Sequence, residues 1–526
     1  METFSVKNLS FKFNNAASRA LSDINLSVSS GEFLLVIGES GSGKTTLLRM
    51  FKNELRPKGE LSGEVLFLKK NINELSDNDS AAKIGYIAQN PDAQIVSDRV
   101  YGELAFGLES LGLDNKVIRA RVSEFASYFG LSGDFRKKTA SLSGGQKQLL
   151  NLAAVMAMEP EVIILDEPTS QLDPISASEF LDALRRVNED FGKTMIIAEH
   201  HLSEVFKLAD KVLCLENGGV KACGKPSELA ALLKGERIEQ TLPVSARIFN
   251  HLGLDGGCPL SVKEGRAMLG EYKNNHQISY KEIKTDKKII DCRDLWFRYD
   301  KNGSDILKGC DLSVYQGEFY ALLGENGCGK STLLNLINGS VKQYRGKIRR
   351  FSDRLACLPQ NPRNLFVKDK LGEDLEMVNN SYKELSDKFN LSHLLDRHPY
   401  DLSGGELQRA ALCKLMLTKP EVLLLDEATK GLDSFAKNEL GAFLRALTNE
   451  GLTVLCVTHD LDFAAEFADR CGLLFDGGIT VENYSNPFFS SNAFYITQSA
   501  KISRGIFTNA VTYDDIIKCL DAGDGV

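Results

Sequence analysis

Apolar residues along the chain fall into two kinds of run. Short unbroken ones include FLLVIG (33–38), VIILD (162–166) and TMIIA (194–198), and later FYALLG (319–324), VLLLD (422–426) and TVLCV (453–457). Each is a few residues long and lacks polar alternation, the pattern of a parallel strand covered on both faces. The second kind shows helical spacing. After Leu142-Ser143-Gly144-Gly145, the apolar residues Leu149, Leu150, Leu152, Ala153 and Met156 share one face of a helix that opens at Ser-Gly-Gly. Strands alternating with helices predict α/β architecture, with sites at the carboxyl ends of the strands.

The pattern occurs twice. GESGSGKTTLL begins at Gly38 and GENGCGKSTLL at Gly324; YIAQNP ends at Pro91 and CLPQNP at Pro362. LSGGQKQ and LSGGELQ begin at Leu142 and Leu402, VIILDEPTSQLD and VLLLDEATKGLD end at Asp173 and Asp433, and TMIIAEH and TVLCVTH end at His200 and His459. Five blocks in the same order mean a duplicated domain. The first copy is expected over 1–270 with a C-terminal helical extension, and the polar stretch 271–285 reads as a linker. The second copy is expected over 286–485, with a tail at 486–526. Phe488, Phe489, Phe494 and Tyr495 predict that this tail packs rather than trails.

Bulk composition narrows the field. At 526 residues the chain is too long for one core. It is 43% hydrophobic and 25% charged, an ordinary globular balance. No apolar run approaches the roughly 18 residues that span a bilayer, and METFSVKNLSFKF has no basic segment leading into an apolar core. The expectation is a cytosolic protein whose membrane role, if any, runs through partners. A net charge of −8 argues against nucleic acid as the main partner, although a local basic patch is compatible with it. Eleven scattered cysteines without a CxxC pair indicate neither a metal site nor a disulfide framework.

The glycine-rich blocks carry phosphate chemistry. Gly38, Gly41, Gly43, Lys44, Thr45 and Thr46, and again Gly324, Gly327, Gly329, Lys330, Ser331 and Thr332, follow GxxxxGK[ST] with one further hydroxyl. Glycines let backbone N–H groups curl around phosphate oxygens, and the lysine reaches the β- and γ-phosphates. Thr45 or Ser331 would bind Mg²⁺ together with Asp166 or Asp426, which end the next buried strand. Glu167 and Glu427 follow, placed to orient or deprotonate an attacking water. His200 and His459 end a later strand, where a histidine would sense the γ-phosphate; aligning AEHHL with VTHDL selects His200 over His201. Gln89 and Gln360 could ligate Mg²⁺ and leave when the nucleotide changes. Phe13 and Tyr299, in LSFKF and LWFRY, offer flat faces to an adenine ring. Cys328, inside the second loop, reads either as a small residue tolerated where the first copy has Ser42 or as a thiol whose pKa the loop's positive field lowers. The Ser-Gly-Gly loops are themselves anion sites at helix N-termini.

Across nearly both halves these blocks resemble the ATP-binding cassette ATPases, and the LSGGQ loop makes the resemblance specific. It implies two tandem P-loop ATPase domains, each with a mixed β core, helices and a helical signature subdomain, binding ATP and Mg²⁺. It also implies that two cassettes meet head to tail. Ser403, Gly404, Gly405 and Glu406 would then face the Lys44 loop, and Ser143, Gly144, Gly145 and Gln146 the Lys330 loop. ATP sites would be formed between the two halves of one chain, with Asp173 and Asp433 communicating across them. NPDAQIVSDRVYGELAFGLESLGL and NPFFSSNAFYIT resemble the fused ATPases of energy-coupling-factor importers of vitamins, thiamine precursors or metal ions. That resemblance implies a transmembrane coupling subunit and a substrate-capture membrane subunit as partners, and a peripheral place on the cytoplasmic face of the membrane. The second copy departs with NPRNLFVKDKLGEDL, and Glu406 and Ala428 stand where the first has Gln146 and Pro168. None of these changes removes a catalytic group, so two competent sites are expected. The alternatives are a tandem-cassette sugar importer, or a soluble tandem cassette acting on ribosomes or DNA.

Overall fold

A computed structural model describes residues 1–14, 16–200, 202–273, 276–279 and 287–523. His201 and much of the segment read as a linker lie outside them. The chain forms two compact units, Met1–Gly265 and Arg266–Val526.

In the first unit the strands are β1 (Glu2–Phe13), β2 (Leu21–Ser29), β3 (Phe33–Gly38), β4 (Gly59–Phe67), β5 (Lys70–Asn71), β6 (Ile84–Ile87), β7 (Val162–Asp166), β8 (Thr194–Ala198), β9 (Lys211–Glu216) and β10 (Gly219–Gly224). An antiparallel sheet runs β2-β1-β4-β5, and a six-stranded sheet runs β10-β9-β3-β8-β7-β6. In the second unit they are β11 (Lys288–Phe297), β12 (Leu307–Tyr315), β13 (Phe319–Leu323), β14 (Arg345–Arg350), β15 (Leu355–Leu358), β16 (Val422–Asp426), β17 (Thr453–Val457), β18 (Arg470–Phe475) and β19 (Gly478–Tyr484). Its sheets run β12-β11-β14 and β15-β16-β17-β13-β18-β19, the same order as in the first unit except that the smaller sheet has no counterpart of β5 among the described residues. All pairings in each six-stranded sheet are parallel except the last, β9 with β10 and β18 with β19. The expected α/β fold with a mixed β core is therefore present twice.

Unbroken apolar strands follow from cover on both faces. In the second unit Tyr320, Leu322, Leu424 and Leu455 pack with the antiparallel sheet and the helix Lys330–Asn338. Their alternates Phe319, Ala321, Leu423 and Val454 pack instead with the helices Gly404–Met416 and Ser434–Asn449. Each strand thus sends successive side chains into two different cores. A helical subdomain carries the signature helix in each unit. In the first, Val100–Ser110 and Asn115–Tyr128 pack on Gly144–Ala157.

The two C-terminal extensions share a helix-capping arrangement. Ser261 caps the helix Val262–Leu269, donating its N–H to Glu264 and accepting from the Glu264 N–H. Thr512 does the same with Asp515 ahead of the helix Tyr513–Gly523. The tail packs as expected for Phe488 and Phe489, which are fully buried, whereas Phe494 is exposed. Among the described residues no helix is long and apolar enough to cross a membrane.

Candidate nucleotide and metal site

Each phosphate loop links β3 or β13 to a helix that starts at the lysine. Gly43 and Gly329 precede those helices at φ of 102° and 109°. A Cβ on Gly43 would lie 2.6 Å from the Ala20 carbonyl oxygen, and one on Gly329 3.0 Å from Ile306 Cγ2. Glycine is required here both for the left-handed backbone and for space. Lys44 Nζ donates to the carbonyls of Gly38 (2.8 Å) and Glu39 (3.0 Å), curling the loop around its own ammonium. Lys330 Nζ repeats this with Gly324 (2.9 Å) and Glu325 (2.7 Å).

The hydroxyl and acidic blocks meet beside these loops. Thr45 Oγ1 donates to Asp166 Oδ1 at 3.0 Å, and Ser331 Oγ to Asp426 Oδ1 at 2.9 Å. Burial pushes both aspartates up, and the neighbouring Glu167 or Glu427 adds to the rise, against the hydroxyl bond that lowers it. Two adjacent, largely buried carboxylates with a hydroxyl form a hard oxygen donor set that fits a divalent cation such as Mg²⁺. Tyr86 was not expected here: its hydroxyl donates to Asp166 Oδ2 at 3.1 Å. Cys357 stands at the matching place, its thiol pushed up to about 11 by burial and by Asp426.

Gln89 Nε2 donates to Glu167 Oε2 at 2.9 Å and Gln360 Nε2 to Glu427 Oε2 at 3.0 Å. His200 Nε2 lies 2.8 Å from Glu167 Oε1. The structure therefore brings glutamine, glutamate and histidine together in both units, from three separate segments. Glu167 and Glu427 share left-handed φ angles of 47° and 52°. Their N–H groups donate at 2.9 Å to Ala198 and Val457 at the ends of the neighbouring strands.

The centres differ in detail. His459 Nδ1 is 3.6 Å from Glu427 Oε1. Lys430, where the first copy has Ser170, places Nζ 3.6 Å from Glu427 Oε2. Burial pushes the Glu427 carboxyl up, but His459, Lys430 and Lys330 outweigh it and hold the group at about 2. At Cys328 burial outweighs the attraction of Lys330, so its thiol is raised rather than lowered.

The remaining residues are placed as follows. Phe13 and Tyr299 are exposed, each edge-on to a buried neighbour, Phe11 at 5.0 Å and Phe297 at 4.9 Å. Tyr299 Oη lies 3.3 Å from Thr332 Oγ1. Ser143 and Ser403 are N-caps in full capping boxes. Gln146 Oε1 accepts from Ser143 N (2.9 Å) and Glu406 Oε2 from Ser403 N (2.8 Å), so Glu and Gln serve the cap equally. Asp173 and Asp433 likewise cap the helices that follow them.

The altered NPRNL segment has its own support. In the first unit Gln94 ties NPDAQ to the strand end by accepting from Ala88 N and donating to Tyr86 O, both at 3.0 Å. In the second, Leu365 replaces Gln94 and offers its carbonyl to Lys414 Nζ at 2.6 Å. Lys414 also pairs with buried Asp374 at 2.7 Å.

Comparison with known proteins places these features in a family. The profile described as ABC transporter matches residues 21–170 and 307–430. A Bacillus anthracis protein described as an ABC transporter ATP-binding protein is 39% identical over 97% of each chain. A Bacillus subtilis ATP-binding protein named for HMP/thiamine import is 28% identical over 98% of each. The archaeal ribosome recycling factor aABCE1, solved with the stalk protein aP1, aligns over 92% of each chain with a TM-score of 0.61 and 20% identity, a likeness of fold.

Proposed function

Because this chain belongs to the ABC transporter family and carries two ABC ATPase domains, we propose that it is the ATP-hydrolysing motor of a membrane importer of the energy-coupling-factor type. The observation that carries the motor reading is the repeated cluster of lysine, hydroxyl, aspartate, glutamine, glutamate and histidine, complete in both units. The importer reading is supported by the full-length likeness to the Bacillus subtilis import protein. It is further supported by the NPDAQ segment leading into the helix Val100–Ser110, which exposes Tyr101 and Phe106. Transmembrane coupling and substrate-capture subunits are the proposed partners.

Lys44 and Lys330, with the loop N–H groups, would hold the β- and γ-phosphates. Thr45, Asp166 and Gln89, and Ser331, Asp426 and Gln360, would hold Mg²⁺, which when bound neutralises charge on the transferring phosphoryl group. Glu167 and Glu427 would accept the proton of the attacking water while His200 and His459 fix the carboxylate. As the family resemblance implies, the Ser-Gly-Gly loop of each half serves the nucleotide of the other.

Replacing Glu167 and Glu427 together by Gln should abolish ATP turnover while leaving ATP binding intact. Unchanged turnover would refute the base assignment. Purification from membranes with bound integral proteins supports the importer reading, whereas recovery with ribosomes supports the alternative.

A further inference from the structure

Behind the first centre lies a carboxylate with no place in the chemistry above. Glu199, between β8 and His200, is 1% exposed. Its Oε1 accepts from Thr169 N at 2.9 Å and Thr169 Oγ1 at 2.6 Å, and its Oε2 from His200 N at 3.1 Å. A buried carboxylate is tolerated only when its lone pairs are satisfied, and these three donors do so. They also join two segments. Thr169 belongs to the turn that carries Glu167, and His200 is the residue that touches Glu167.

The second unit is an internal control. AEH aligns with VTH, so Thr458 stands at the Glu199 position. Thr458 Oγ1 lies 3.3 Å from Thr429 Oγ1 and accepts from Asp460 N at 3.0 Å. Thr458 thus meets the turn through one hydroxyl contact and takes the N–H of Asp460, where Glu199 takes that of His200. The anchor of the glutamate backbone is the same in both units, at 2.9 Å, yet the imidazole contact is not. His200 Nε2 is 2.8 Å from Glu167 Oε1, whereas His459 approaches Glu427 Oε1 through Nδ1 at the longer distance of 3.6 Å.

We propose that Glu199 is a positioning residue of the first centre, clamping His200 onto Glu167, and that it makes this centre the faster of two unequal ATPases. The proposal rests on reading Glu167 and Glu427 as the bases. Glu199 acts through His200 and the Thr169 turn. Preorganisation of this kind appears in the rate of the chemical step rather than in substrate affinity.

The test uses the full chain with one centre silenced at a time, reading the single-turnover rate of ATP hydrolysis and the ATP concentration that gives half of it. In a Glu427→Gln background, Glu199→Thr should slow hydrolysis about ten- to hundredfold, the scale of an ångström-sized misplacement, with half-saturation changed less than about twofold. In a Glu167→Gln background the same substitution should leave the rate unchanged. An unchanged rate in the first background, or a shift in half-saturation alone, overturns the proposal. Should Glu199→Thr not fold, Glu199→Gln carries the test. It keeps an acceptor for Thr169, loses the one facing His200 N, and should slow the first centre by at least about threefold. If neither Glu167→Gln nor Glu427→Gln alone reduces turnover, the base assignment itself fails and the proposal falls with it.

Discussion

Lys430 offers the most direct test of how charge is arranged around the second centre. Its Nζ lies 3.6 Å from Glu427 Oε2 and its side chain is 25% exposed. A unit charge pair at that distance is worth about 4–5 kcal/mol at an effective dielectric of about 20. Partial exposure and desolvation reduce the net effect to on the order of 1 kcal/mol, or about 0.7 of a pKa unit. Burial pushes Glu427 up, and His459, Lys430 and Lys330 together hold it at about 2. Glu427 therefore remains ionised down to strongly acid pH. Removing Lys430 should move its titration upward, toward the ordinary carboxylate range. The sign for stability follows: a depressed carboxylate stabilises the fold above its unfolded pKa near 4.3, and that stability is lost as pH falls toward 2. Lys430→Ser, which installs the residue of the first copy, is compared with the uncharged, similarly sized Lys430→Met, both in Glu167→Gln. The acid limb of the pH–rate profile should rise by about half to one unit in both variants, and the melting temperature at neutral pH should fall by about 2–4 °C. A limb that stays put, or moves to lower pH, would refute the electrostatic account. A shift in Lys430→Ser but not in Lys430→Met would assign the effect to packing.

Two further outcomes follow from the geometry. Gly43→Ala places a methyl 2.6 Å from the Ala20 carbonyl at φ 102°, so ATP binding to the first unit should be lost in a fluorescent-nucleotide titration; retained affinity would remove the cradle from the account. Phe488→Ala empties a fully buried site in the core of the second unit and should cost about 3–5 kcal/mol in urea unfolding of that unit; a change below about 1 kcal/mol would mean that the tail is not structural.

The duplication made most of the fold legible. Apolar runs without alternation located β3, β7, β8 and their counterparts β13, β16 and β17, because strands in the middle of a covered sheet have no polar face to vary. Phosphate loops and signature helices were legible because their chemistry constrains both residue type and spacing. What escaped detection depends on contacts between distant segments. Tyr86 reads as one more aromatic in a strand until Asp166, eighty residues away, is brought to its hydroxyl. Glu199 reads as a polar strand end until Thr169 faces it. The paired extensions share capping boxes rather than composition, since Ser261-Glu264 and Thr512-Asp515 have no residue type in common. At Cys328 the nearby lysine is visible in the sequence, whereas the burial that raises its thiol is not.

The left-handed φ at Glu167 and Glu427 has a consequence for the chain's tolerance to change. A residue with a Cβ held there costs about 1–2 kcal/mol relative to glycine. At Glu167 glycine would relax the backbone and leave no base; at Glu427 it would also forfeit the stability that the depressed carboxylate gives at neutral pH. Screens that select for thermal resistance alone should therefore drift toward loss of Glu167 before Glu427. Retaining Glu167 requires selection on turnover, which sets stability and activity in opposition at that position.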